Sequence, residues 1–312
     1  MKIVFMGTPE FAVASLEKIH HSHHEIVMVV TTPDKPAGRG LKLKNSAVKN
    51  YALEHDLPLI QPEKLKDKEF ITLLENLKAD VFVVVAFRML PKEIFAIPEK
   101  GCFNLHASLL PQYRGAAPIN WAIINGETET GLTTFLIDEQ IDTGKILAQK
   151  KIPVTPEDIA GTLHDKMMPI GADLVLETIA KIEQGSIQVQ QQLEVEPSHA
   201  APKLNKLNTK LNFNQPAHQV IQKIKGLSPY PAAYFELENI GAVKVYSAKV
   251  GEKNDENLRN HALSDTKKTI KIPCRDYFIE LIEFQMQGKK RMTVSEYLRG
   301  NPFPPKVLIL SD

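Results

Sequence analysis

Val81-Phe82-Val83-Val84-Val85 carries no polar side chain on either parity. A strand with one face in water alternates apolar and polar residues, so this unbroken run predicts a strand covered on both sides, as in a parallel sheet between helices. Toward the N-terminus, Lys2–Met6 and Glu25–Val30 read as strands, and Pro9–His20, Ala47–His55 and Asp67–Leu77 read as helices. Toward the C-terminus, Cys102–Ala107 and Leu132–Ile137 have strand character, Ala117–Asn125 is helical, and a long helix over Ile159–Gln184 stops at Gly185. Alternating strand and helix periods predict an α/β unit with a Rossmann-like, mostly parallel sheet.

Periodicity fades over residues 189–206, where Gln, Pro, Ser and Lys collect. The expected division is therefore a domain over 1–189, a linker over 190–206 and a second domain over 207–312. That last part opens with a helix, Ala217–Lys225, and continues in alternating segments at Ala232–Leu237, Val243–Val250, Thr269–Ile272 and Tyr277–Phe284. Such spacing predicts a small OB-like β-barrel, with the polar stretch Gly251–Leu263 as a mobile loop.

A chain of 312 residues with 43% hydrophobic content is long enough for two cores. It has no apolar run near the about 18 residues of a membrane span, and Met1-Lys2-Ile3-Val4-Phe5 leads straight into a strand, so a cytoplasmic protein without a membrane partner is expected. Cys102 and Cys274 are too few and too far apart for a disulfide framework or a CxxC motif, and both read as buried thiols. The overall charge of +1 conceals an asymmetry. Residues 203–312 hold 18 Lys and Arg against 11 Asp and Glu, while the rest of the chain holds 20 against 26. A basic C-terminal part suits a polyanionic partner, although solvated lysines alone produce the same balance.

The turn Gly7-Thr8-Pro9-Glu10-Phe11 stands where a nucleotide-binding sheet keeps its phosphate loop, but it lacks the GxGxxG spacing and excludes a dinucleotide enzyme. The densest chemical signal is Phe103-Asn104-Leu105-His106-Ala107-Ser108-Leu109-Leu110-Pro111-Gln112-Tyr113-Arg114-Gly115-Ala116-Ala117-Pro118. Asn104 and His106 share strand parity and so one face, offering a hydrogen-bond donor and an acid or base; a satisfied polar pair at a strand end is the bland alternative. Asp142, ahead of Thr143-Gly144, is either a turn former or the carboxylate that holds an imidazole and stabilises its cation. His20, His21, His23 and His24 suggest a metal cluster, but they lie between a helix and a strand with no carboxylate or cysteine geometry to close a site, and a solvated loop is the expectation. Lys289-Lys290-Arg291 reads as a solvated turn.

Taken together, Asn104, His106 and Asp142, with Ser108–Pro111 (SLLP) and Tyr113–Pro118 (YRGAAP), resemble the methionyl-tRNA formyltransferases. Gly7-Thr8-Pro9-Glu10-Phe11, Pro33-Asp34-Lys35-Pro36-Ala37-Gly38-Arg39-Gly40 and Ala201-Pro202-Lys203-Leu204 extend the likeness over nearly the whole chain. Val85-Ala86-Phe87-Arg88-Met89-Leu90-Pro91 departs from it, because many relatives write AxGxILP there with one residue more. The resemblance implies formyl transfer from 10-formyltetrahydrofolate to the amino group of methionine on initiator tRNA, with no metal. Asn104, His106 and Asp142 would be the catalytic set, and Ser108, Leu109, Leu110 and Pro111 the cofactor-binding segment. The cations of the loop Asp34–Lys44, namely Lys35, Arg39, Lys42 and Lys44, would meet the acceptor-stem end of the tRNA, and the basic C-terminal barrel its phosphates. A monomer is expected. Two other functions fit less of the sequence: a formyltransferase acting on an amino sugar or purine precursor, and a non-catalytic tRNA-binding protein.

Overall fold

The computed structural model describes residues 1–37, 42–193, 199–254 and 258–310. In chain order the first elements are β1 (Lys2–Gly7), α1 (Glu10–His20), β2 (Glu25–Val30), β3 (Lys35–Ala37), β4 (Lys42–Lys44), α2 (Ala47–Glu54), β5 (Leu59–Ile60), α3 (Lys68–Asn76), β6 (Val81–Val85), α4 (Lys92–Phe95) and β7 (Cys102–His106). Then follow β8 (Arg114–Gly115), α5 (Pro118–Ile124), β9 (Glu129–Leu136), β10 (Ile146–Pro153), α6 (Ala160–Glu183), β11 (Ala200–Ala201), α7 (Lys206–Thr209) and α8 (Ala217–Leu227). The chain ends with β12 (Ala233–Leu237), β13 (Gly241–Lys253), β14 (His261–Ser264), β15 (Ile270–Pro273), β16 (Tyr277–Met286), β17 (Met292–Thr293), α9 (Val294–Gly300) and β18 (Lys306–Leu310).

Two compact units emerge. The first comprises Met1–Gly115, Glu129–Pro153 and His164–Ala200, and the second Ala116–Thr128, Val154–Leu163 and Ala201–Asp312. The first unit is built on a seven-stranded sheet in the order β10-β9-β7-β6-β1-β2-β5. Strands β5, β2, β1, β6 and β7 run parallel, while β9 and β10 form an antiparallel edge. All five residues of β6 are buried, as its apolar run requires. Val4, Met6, Phe82, Val84 and Cys102 pack with Phe70 and Leu74 of α3 and Ile94 of α4 on one face. On the other face α6 comes so close that a Cβ on Gly171 would stand 2.9 Å from a methyl of Leu105. Local signals set the helix starts: Ser46 accepts a hydrogen bond from the Lys49 amide ahead of α2, and Asp67 one from Glu69 ahead of α3.

In the second unit six antiparallel strands close a ring, β13-β12-β18-β14-β15-β16, through the pairing of β13 with β16, and β17 extends it beside β16. This is a closed barrel with one strand more than the five of an OB-fold. Phe235, Val245, Ile272, Ile279 and Phe284 fill it, with Val220, Ile224 and Leu227 of α8 in the same core. The polar stretch Gly251–Leu263 contains more order than its composition suggests, since β13 continues to Lys253 and β14 begins at His261. Residues 255–257 between them lie outside the described residues. Both cysteines are buried free thiols, and burial pushes that of Cys274 up to about 12. Among the described residues no helix is long and apolar enough to cross a membrane.

Candidate active site

β7 enters the sheet parallel to β6 and ends at His106, where the chain leaves the carboxyl edge of the parallel strands. In open α/β sheets this edge is where ligands are bound. Asn104 and His106 follow Cys102 on one face, as their parity requires. Asn104 is half-buried, and its amide makes no hydrogen bond with a described residue.

His106 is buried, with its ring edge-on to Phe135. Its Nε2 lies 2.8 Å from the carbonyl oxygen of Tyr113. A carbonyl only accepts, so Nε2 carries the proton and the neutral ring presents its lone pair at Nδ1. On that side stands Asp142, with Oδ2 at 3.8 Å from Nδ1. This is an ion-pair distance and too long for a direct hydrogen bond. The Tyr113 carbonyl, not the Asp142 carboxylate, therefore fixes the imidazole orientation. Asp142 instead supplies negative charge where a proton arriving on Nδ1 creates a cation.

Asp142 is itself firmly held. Its Oδ2 accepts the Gly115 amide at 2.9 Å, and its backbone carbonyl accepts both Arg114 Nε at 3.1 Å and Gln192 Nε2 at 2.9 Å. Gln192, nearly buried, also donates to the Gly144 carbonyl at 2.8 Å and accepts from the Arg114 guanidinium at 2.7 and 3.1 Å. Ala86, Tyr113 and Asp142 adopt left-handed backbone conformations, with φ of 48°, 60° and 56°. Such residues cost on the order of 1 kcal/mol each, and they concentrate where geometry serves chemistry. Gly144 has no freedom to be another residue, because a Cβ there would stand 1.6 Å from the Leu136 carbonyl oxygen.

The segment Ser108–Pro111 leaves β7 with its side chains largely committed. Ser108 is fully buried and donates to the Gln112 carbonyl at 2.6 Å; Leu110 packs with Phe135 and Ile146; Leu109 lies over Gly131. Thr133 Oγ1 ties the loop down by donating to the Ser108 carbonyl and accepting the Leu110 amide. The divergent segment after β6 is anchored too: Arg88 donates to the carbonyls of Pro62 and Glu63, and Leu90 is buried while Met89 stays exposed. Beside the Asp142 loop lies a polar cleft of about 630 Å³ lined by Lys92, Arg114, Asp138, Gln140 and Gln192 among others.

The stems of the cationic loop form a hairpin in which Lys35 pairs with Lys44 and Ala37 with Lys42, where the sequence reads as loop alone. Arg39 lies outside the described residues. Lys44 is exposed. Asp34, the single acid of the loop, is spent at its base: the Lys49 ammonium donates to it at 2.6 Å and Gln61 at 2.9 Å, holding its carboxyl below the usual range. Gly7 has a packing role, since a Cβ there would meet Ala12 at 2.7 Å. Sequence reading singled out neither Arg114 as a buttress nor Gln192 at all.

Comparison with known proteins gives the family. Residues 1–179 match the family described as Formyl transferase, and residues 203–302 match Formyl transferase, C-terminal domain. The chain is 47% identical over 307 residues to a methionyl-tRNA formyltransferase of Bacteroides fragilis, covering 96% of this chain and 95% of that one. It is 46% identical over 302 residues to one of Clostridioides difficile, covering 96% and 97%. Among solved structures, that of WlaRD, a sugar 3N-formyl transferase crystallised with dTDP and 5-N-formyl-THF, superposes with a TM-score of 0.66 at 22% identity, covering 93% of this chain and 99% of that one. At that identity the likeness is one of fold.

Proposed function

The chain belongs to the methionyl-tRNA formyltransferase family, and from that premise we propose how it moves a formyl group from 10-formyltetrahydrofolate to the α-amino group of methionine on initiator tRNA. The transfer is acyl transfer to an amine. It needs an oxyanion stabilised and a proton carried from the attacking nitrogen toward the departing one, with no covalent enzyme intermediate. Free α-amines titrate near about 7.7–8.0, so part of the methionyl amine is already neutral in the cytoplasm.

Asn104 donates its uncommitted amide to the oxyanion that develops on the formyl oxygen. His106 keeps Nε2–H on the Tyr113 carbonyl, takes the proton of the attacking amine at Nδ1, directly or through one water, and gives it to the departing folate nitrogen. Asp142 stabilises the imidazolium so formed from 3.8 Å. The observation that carries this reading is the pairing of a fixed tautomer with a carboxylate on its basic side, two residues along one strand from a free amide donor. For the folate, Ser108, Leu109, Leu110 and Pro111 offer mainly backbone and the faces of Leu109 and Pro111, since the Ser108 and Leu110 side chains are turned inward. Lys35, Arg39, Lys42 and Lys44 grip the acceptor-stem end of the tRNA, and residues 207–312 contribute cations to its phosphates. The chain acts as a cytoplasmic monomer, with residues 1–189 as the transferase domain and 190–206 as the linker.

The test is incorporation of labelled formyl from 10-formyltetrahydrofolate by the purified chain, offered methionyl initiator tRNA, a nucleotide-linked amino sugar, or no acceptor. Label on the tRNA alone is expected. Label on the sugar would move the acceptor, and label on neither would leave a tRNA-binding protein.

A further inference from the structure

Beside the histidines of the α1–β2 turn the fold brings a carboxylate from the far end of α6. Glu183 places Oε2 at 3.0 Å from His23 Nε2 and Oε1 at 3.8 Å from His24 Nδ1. One donor atom from each of the three residues lies within 4.8 Å of the others. We propose that His23, His24 and Glu183 form a three-donor zinc site separate from the transferase centre.

Two features carry the assignment. Zinc bonds of about 2.0–2.2 Å to nitrogen and carboxylate oxygen put neighbouring tetrahedral ligands roughly 3.3–3.5 Å apart, a spacing that the separations of 3.0 and 3.8 Å between the two rings and the Glu183 carboxylate bracket. Two imidazoles and one carboxylate suit zinc better than magnesium or calcium, which take oxygen ligands, and three protein donors leave a fourth position open. His24 is buried as a fixed wall of the site while His23 remains exposed to arriving ions. The Met1 nitrogen lies 3.3 Å from His24 Nδ1 and 3.4 Å from Glu183 Oε1.

The site lies at the start of β2, at the amino edge of the parallel strands, whereas His106 stands at the carboxyl edge. Its ion would join the α1–β2 turn to the C-terminus of α6 without touching the reaction. Zinc titration by calorimetry and thermal unfolding with zinc or with EDTA test this on the full chain. One equivalent at micromolar affinity and a raised Tm are expected, with His23→Ala and Glu183→Gln each weakening binding about 10-fold or more while formylation is unchanged. Both variants alter exposed side chains, so the buried His24 can stay in place. Binding no tighter than about millimolar in the parent chain, or unaltered binding in either variant, would overturn the proposal.

Discussion

Nδ1 of His106 faces Oδ2 of Asp142 across 3.8 Å, while Nε2 of the same ring is locked to the Tyr113 carbonyl at 2.8 Å. The two contacts divide the labour between orientation and charge. Asp142→Asn should leave the ring where it is, because Tyr113 holds it, and remove only the stabilisation of the imidazolium. Single-turnover formyl transfer should fall on the order of 100-fold or more with folate affinity unchanged. A variant that loses folate affinity and turnover together would make Asp142 part of the binding pocket instead.

Asn104→Ala tests the other half of the centre. The amide is half-buried and uncommitted, so removing it leaves no partner stranded in the core. A contact made only in the transition state lowers kcat and kcat/KM together, and one oxyanion donor contributes on the order of 3 kcal/mol elsewhere in acyl transfer. Unaltered turnover with weakened tRNA binding would contradict the oxyanion role.

The parts of this molecule that the sequence displays are those written in local periodicity. Val81–Val85 announces a doubly covered strand, and two-residue spacing is enough to place Asn104 and His106 on one face. What stays hidden depends on distant partners. Gln192 bonds to Asp142 and Arg114, 50 and 78 residues away, from a stretch without periodicity, and Glu183 meets His23 across 160 residues. The end of the barrel is a different matter: Thr293 and Glu296 form a capping box that opens α9, and Lys306–Leu310 is a short apolar run. Those signals are local, but the prolines at 302, 304 and 305 break the alternation that frames the earlier strands.

The basic C-terminal segment invites a test by charge rather than by truncation. Asn120 of α5 donates to the Gly226 carbonyl at 2.7 Å, and a Cβ on Gly226 would meet Ile124, so cutting at residue 207 would strip α5 of α8. Lys206 and Lys244 line a cleft of about 650 Å³ on the barrel with Tyr234, and exposed Tyr230 and Leu207 stand nearby in sequence. Replacing either lysine by Ala should reduce the dependence of log affinity for tRNA on log salt by about 0.7–0.9. An unchanged slope, measured by filter binding across a salt series, would assign these cations to solubility.

Asp265 gives a pH dependence that can be signed. Its carboxylate accepts the amides of Lys267, Lys268 and Thr269 at 2.9, 2.7 and 2.8 Å in the turn between β14 and β15, and these bonds depress its pKa well below the usual carboxylate range. A depressed folded value means that the stabilisation is complete above the unfolded pKa of about 3.9 and is lost as pH falls through the folded one. Asp265→Ala should therefore lower Tm at neutral pH, and the gap between the two proteins should narrow in acid. A gap that widens on acidification would reverse the sign of the argument.

Gln192 should prove to be a positioning residue for the catalytic loop. Its amide nitrogen holds the carbonyls of Asp142 and Gly144, and its amide oxygen holds Arg114, which itself reaches the Asp142 carbonyl. Every member of this network acts on the backbone of the residue whose carboxylate faces His106, and the left-handed φ of 56° at Asp142 makes that backbone costly to keep without support. Gln192→Ala takes a donor from the carbonyls of Asp142 and Gly144, at about 1–3 kcal/mol for each group that water fails to reach. Part of that loss will appear as a lower Tm. The part that distinguishes positioning from plain stabilisation is kinetic, because a carboxylate displaced by about 1 Å can slow transfer on the order of 100-fold while substrates bind as before. Well below the variant's Tm, kcat should fall with KM for folate and tRNA little changed, and Gln192→Glu, which keeps the contact to Arg114 but loses both donors to the loop, should share the defect. If Gln192→Glu retains parental kcat, the two carbonyl contacts do not set the carboxylate and the residue merely secures Arg114.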